Sequence, residues 1–108
     1  MQTPPKDPEL DHAAGILRLL GDRTRLAILA MLDGSEMSVT AIADSLGRPV
    51  PAISQHLARL RSAGLVRVRK AGVTSYYTQP DEHLARLVAN ALQLSEHALY
   101  KVPPHHRQ

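Results

Sequence analysis

The stretch SEHALYKVPPHHRQ, residues 95–108, gathers His97, His105 and His106 around Glu96, with a Pro-Pro pair between them. Imidazole nitrogens and carboxylate oxygens are ligands for divalent transition metals, whereas a tail needed only for solubility is more often written with Lys, Glu or Ser. The chain contains no cysteine, which removes disulfides, thiol nucleophiles and thiolate metal sites and leaves His, Asp and Glu as the strong ligands. Four of the six histidines lie after Glu82, so this chemistry is concentrated at one end. Pro103 and Pro104 end any helix and can fold the tail back toward it. The plain alternative is a tail with incidental histidines, Asp81 acting only as a helix cap and His83 and Glu96 lying on a solvated face.

Catalysis finds no constellation. Ser54 and His56 are two apart on one helical pattern and do not face each other. No Gly-rich phosphate loop, thiol nucleophile or paired-carboxylate cleft is present, so the chain is expected not to be an enzyme. Charge points elsewhere. Residues 45–80 hold six basic side chains (Arg48, Arg59, Arg61, Arg67, Arg69, Lys70) and no acidic one, while the remainder carries seven basic against ten acidic residues. A basic block in an acidic background is the footprint of a surface that meets a polyanion, with nucleic acid the first candidate.

These residues need elements to hold them. At 108 residues the chain fits one domain that dimerisation would help to stabilise. Residues 1–9 hold three prolines and no apolar periodicity and are expected to be a flexible lead-in, followed by a domain over residues 10–101 and a tail over 102–108. A helical stripe runs through Leu10, Ala13, Ala14, Leu17 and Leu20 to Gly21, and Asp22 can cap a second helix, RTRLAILAMLD, ended by Gly34. VTAIADSL, closed by Gly47, and VPAISQHLARLRSAG form a helix-turn-helix with Ile53, Leu57 and Leu60 facing inward. The period then changes from about 3.6 to 2 in LVRVRK, and VTSYYTQ supplies a second strand, giving a hairpin with its tip near residues 70–74. A last helix from about Glu82 to Tyr100 carries a stripe at Leu84, Leu87, Val88, Ala91, Leu92, Ser95 and Ala98. The expected fold is thus mainly α with a β-hairpin wing, a winged helix-turn-helix in the order α-α-α-α-β-β-α. No apolar run near eighteen residues and no leader is seen, and the expectation is a cytoplasmic protein without a membrane partner.

In a helix-turn-helix the exposed N-terminal turns of the second helix approach base edges in the major groove of double-stranded DNA. Those turns carry Pro51, Ser54, Gln55 and His56, with Gln55 able to bond adenine bidentately. Arg48 and Arg59 are placed for phosphates, and Arg67, Arg69 and Lys70 on the hairpin for the backbone or the flanking minor groove. The alternative treats Arg59 and Arg61 as ordinary solvent-facing residues and His56 as packing at the helix junction.

With GDRTRLAILAMLDG, with the SxHLxxLRxAGLV pattern at Ser54, His56, Leu57, Leu60, Arg61, Ala63, Gly64, Leu65 and Val66, and with the long final helix, the chain resembles the ArsR/SmtB family of metal-responsive regulators over roughly residues 10–100. Arsenic-type members carry a Cys-x-Cys pair where this chain has Ser38 and Thr40, so a thiophilic effector there is not expected. Zinc-type members use a D-x-H and a later H-x-x-H or H-x-x-E on the last helix. This chain supplies Asp81, His83 and His97 but has Leu94 where a ligand is needed. The set His83, Glu96, His97, His105 and His106 resembles instead the nickel- and cobalt-sensing branch, implying Ni²⁺ or Co²⁺ as effector, with Zn²⁺ possible.

Thirteen residues separate His83 from Glu96, about 20 Å of helix at roughly 1.5 Å per residue, so one metal cannot reach both within one chain. Antiparallel pairing of the last helices in a homodimer, held by the first and last helices, would place His83 of one subunit near Glu96 and His97 of the other. The resemblance implies a DNA-binding transcriptional regulator, a repressor of operator DNA in most relatives. The same regulator without metal sensing, or a metal-dependent activator, is the alternative.

Overall fold

The computed structural model describes residues 2–100. Five helices and three short strands follow in the order α1 (Asp7–Leu20), α2 (Arg23–Met31), β1 (Met37–Ser38), α3 (Val39–Leu46), α4 (Val50–Ser62), β2 (Arg67–Ala71), β3 (Thr74–Thr78) and α5 (Glu82–Tyr100). This is the expected winged helix-turn-helix, with two differences. The helix α1 starts at Asp7, inside the segment expected to be a lead-in, because Pro8 falls in the first turn, where no N–H is required and a fixed φ favours the helix. Glu9 supports that start by accepting a hydrogen bond from the Lys6 backbone N–H at 3.2 Å. The second difference is β1. It pairs antiparallel with β3, so the hairpin becomes a three-stranded sheet in the order β1-β3-β2 and β3 is its middle strand. Two residues are too few to show a period of two.

Local chemistry sets most boundaries. Asp22 caps α2, its Oδ2 accepting from the Arg25 N–H at 2.9 Å, and Ser38 Oγ caps α3 by accepting from the Ala41 N–H at 3.1 Å. Gly47 ends α3 with φ 62°, a left-handed conformation that leads the chain directly into the turn before α4. At the hairpin tip Gly72 takes φ 62°, so two residues suffice to reverse the strand. Asp81 caps α5, its Oδ1 accepting from the N–H groups of His83 at 2.7 Å and Leu84 at 3.2 Å.

One core joins these elements. Ile28, Leu29 and Leu32 of the α2 region pack with Ile42 of α3, with Ile53, Leu57 and Leu60 of α4, and with Leu84 and Val88 of α5. The inward positions expected for α4 are all fully buried. The stripe of α5 is not used to its end. Leu84 and Val88 are buried, but every residue from Ala91 to Tyr100 is exposed, and Leu10 and Leu17 of α1 are likewise half exposed. No described helix is long and apolar enough to cross a membrane.

Candidate nucleic-acid interface and the ligand-bearing helix

Burial of Ile53, Leu57 and Leu60 decides which face of α4 turns inward. The opposite face presents Pro51, Ser54, Gln55 and Arg59, all exposed, and Arg48 stands exposed in the preceding turn. An exposed helix face rich in short polar and basic side chains has the dimensions and the donors to enter a major groove. Of the residues expected to read or brace DNA, four therefore share the exposed face of α4, with Arg48 in the turn before it and one α4 residue turned away.

The exception is His56. Its side chain is only about a quarter exposed (24%) and turns toward the start of α2, where Nδ1 lies 3.3 Å from Arg25 Nη1 and 3.8 Å from Asp22 Oδ2. Arg25 also donates from Nε to the Leu19 carbonyl at 2.7 Å. The Asp22 carboxyl is held below the ordinary carboxylate range, chiefly by the hydrogen bond from the Arg25 backbone N–H, which outweighs the opposing effect of burial, and then by the charge of Arg25.

On the wing, Arg67 and Lys70 are exposed and carry no acidic partner among the described contacts. Arg69 is different. Its Nε and Nη2 donate to Glu36 Oε2 and Oε1 at 3.0 and 2.8 Å, a bidentate pair, and its guanidinium lies over the Tyr76 ring at 4.9 Å from the centroid. The hydrogen bonds from Arg69 depress the Glu36 carboxyl, and the same pair raises the Arg69 guanidinium. An acidic side chain from just before β1 thus enters the block that is free of acids in sequence. Arg69 spends its fork on Glu36, and Arg67 and Lys70 are the uncommitted cations of the wing.

The ligand candidates divide between the two ends of α5. His83 is exposed in the first turn, its Nδ1 2.9 Å from Arg86 Nη2. Glu96 and His97 are exposed in the last turns and line an open cleft with Gln93 and Tyr100. His105 and His106 lie outside the described residues. Among the described residues of one chain, no three His, Asp or Glu side chains come together to hold a metal ion. The nitrogen and oxygen donors suit a borderline divalent ion, but among the described residues one subunit brings only Glu96 and His97 to one place.

Sequence reasoning missed Arg25 as a bridge and Glu36 as a partner of the wing. Both act on residues about thirty positions away, and no local pattern reports such a pairing.

Residues 20–69 match a family model described as a helix-turn-helix domain. The chain is 42% identical over 104 residues to the HTH-type transcriptional regulator KmtR of Mycobacterium tuberculosis, covering 96% of this chain and 80% of that one. It is 38% identical over 89 residues to the transcriptional repressor SmtB of the same species, covering 82% and 66%. Among solved structures, a homodimeric winged helix-turn-helix DNA-binding domain from Mycobacterium bovis, itself a possible ArsR-family regulator, superposes with a TM-score of 0.81 at 34% identity over 98% of both chains. With its reading helix, its wing and these relatives, the chain belongs to the ArsR/SmtB family of winged helix-turn-helix, DNA-binding transcriptional regulators.

Proposed function

We propose that the protein is a homodimeric repressor whose affinity for operator DNA is lowered by Ni²⁺ or Co²⁺ held between the α5 helices of its two subunits. The observation that carries this reading is the split of His83 from Glu96 and His97 along a helix whose last ten residues, 91–100, are all exposed. An apolar stripe left uncovered on α5, beside half-exposed leucines on α1, supports a second copy as its cover. Antiparallel pairing of two such helices would join the halves into two equivalent sites, each with His83 from one subunit and Glu96 and His97 from the other. His105 and His106 would bring the set to five nitrogen and oxygen donors, which with one water suits Ni²⁺ and Co²⁺ better than four-coordinate zinc.

Bound metal supplies a cross-link between subunits, and the protein's own residues do the rest. His83 sits at the capped start of α5, a short link after the sheet that carries the wing, so a pull on it would act on the wing through that link. A dimer geometry in which the two reading helices no longer match the half-site spacing lowers affinity, with coupling of typically ~1–3 kcal/mol.

Equilibrium dialysis with Ni²⁺, followed by titration of a duplex enriched from a random-sequence pool, tests the proposal. One ion per chain and weaker DNA binding in its presence are expected. His83→Ala protein and Glu96→Gln protein should each lose the ion, and mixing them should restore one of the two sites, because the mixed dimer keeps one site intact. No binding of Ni²⁺ would leave the same DNA-binding regulator without metal sensing, and tighter DNA binding with Ni²⁺ would make it a metal-dependent activator.

A further inference from the structure

We propose that Arg25 is a positioning residue that locks the reading helix α4 to the junction of α1 and α2, and that His56 is its receptor on α4 and not a DNA contact. The inference rests on α4 being the helix that reads bases. Apolar contacts through Ile53, Leu57 and Leu60 hold α4 in the core but are non-directional, so alone they permit small slides and rotations of the helix. A directional tie is needed to fix where Ser54 and Gln55 point. The only side-chain hydrogen bond from α4 to another element among the described residues is that of His56 with Arg25.

The geometry of the tie is specific. A guanidinium only donates, so the contact at 3.3 Å requires His56 Nδ1 to accept, which places the ring proton on Nε2. The same guanidinium donates through Nε to the Leu19 carbonyl, one of the carbonyls left open at the end of α1. Its backbone N–H is meanwhile held by Asp22. One residue therefore joins the last turn of α1, the first turn of α2 and the middle of α4. His56 lies immediately after Gln55, so a shift at the tie moves the exposed base-reading side chains directly. In a homodimer closed partly by α1, the clamp also links the subunit interface to the reading head.

The clamp predicts a selective defect. Misaimed Ser54 and Gln55 weaken base recognition, whereas phosphate contacts from Arg48, Arg67 and Lys70 tolerate small shifts. Arg25→Lys keeps the charge and the Asp22 cap but loses the fork, and His56→Leu removes the acceptor. Each should lower discrimination between the duplex enriched by the parent protein and a scrambled duplex by about tenfold, the contribution of one good base contact. Affinity for the scrambled duplex and the salt slope should stay unchanged. The double variant should lose about tenfold, and not the roughly hundredfold of independent effects. His56→Asn, whose Oδ1 offers an acceptor close to the position of Nδ1, should retain most of the discrimination even if His56→Leu fails to fold.

Full discrimination in Arg25→Lys, or equal losses on both duplexes, would overturn the clamp, as would additive losses in the double variant. Gln55→Ala separates this from its premise: if it leaves sequence preference unchanged, α4 is not the reader and the inference falls with that reading.

Discussion

Leu17→Ala should weaken the dimer by close to a hundredfold. Leu17 is 55% exposed in the single chain, on the same face of α1 as Leu10, while Ile16 and Leu20 turn inward to the core. The substitution removes three carbons, each contributing about 0.8 kcal/mol when buried, and only the half or so not already covered by its own chain counts toward association. That amounts to about 1.3 kcal/mol per subunit and about 2.6 kcal/mol for the pair, a change of nearly two decades in Kd. Sedimentation equilibrium across a concentration series reads this directly. Val73→Ala provides the control, because Val73 stands at the tip of the wing with its whole surface in water. Ni²⁺ binding should fall in parallel at concentrations where Leu17→Ala protein is monomeric, since each chain then holds only half a site. An unchanged dimer constant in Leu17→Ala protein, or a parent that is monomeric at high micromolar concentration, would refute both the packing argument and the shared site.

Four further outcomes are expected. Arg67→Ala and Lys70→Ala should each reduce the salt slope of DNA binding by about one, whereas Glu36→Gln, by releasing Arg69, should steepen it. The Glu36 carboxyl titrates below its ordinary value, so its pairing with Arg69 stabilises the wing fully above the unfolded pKa and is lost as pH falls through the lowered one. Amide exchange in β2 and β3 should accelerate over that acid range in the parent and not in Glu36→Gln protein. Asp81→Ala should cost typically ~1 kcal/mol of stability in thermal unfolding, through loss of the α5 cap, with Ni²⁺ stoichiometry unchanged. Deleting residues 103–108 should leave dimerisation and metal-free DNA binding intact while weakening Ni²⁺ in dialysis, because His105 and His106 leave with the tail.

Much of the architecture is determined by the sequence alone, because its signals are local. The caps at Asp22 and Asp81, the glycine closing α3, the inward triplet Ile53, Leu57 and Leu60, and the bounds of α5 at Glu82 and Tyr100 each depend on neighbours within a few positions. The exposed face of α4 follows from the same periodicity. The start of α1 at Asp7 is local too, set by Pro8 and Glu9 in a proline-rich stretch that reads as loose, whereas the third strand at Met37 and Ser38 comes only from the tertiary structure. The tertiary structure also decided the fate of individual side chains. Arg69 and His56 read as DNA-facing because charge and helix position are legible locally. Their partners, Glu36 and the pair Asp22 and Arg25, lie some thirty residues away in the chain, and the fold alone brings them within hydrogen-bond reach. The ligand set shows the same limit in another form, since its residue types are written in sequence while the distance along α5 assigns them to two ends of a rigid helix.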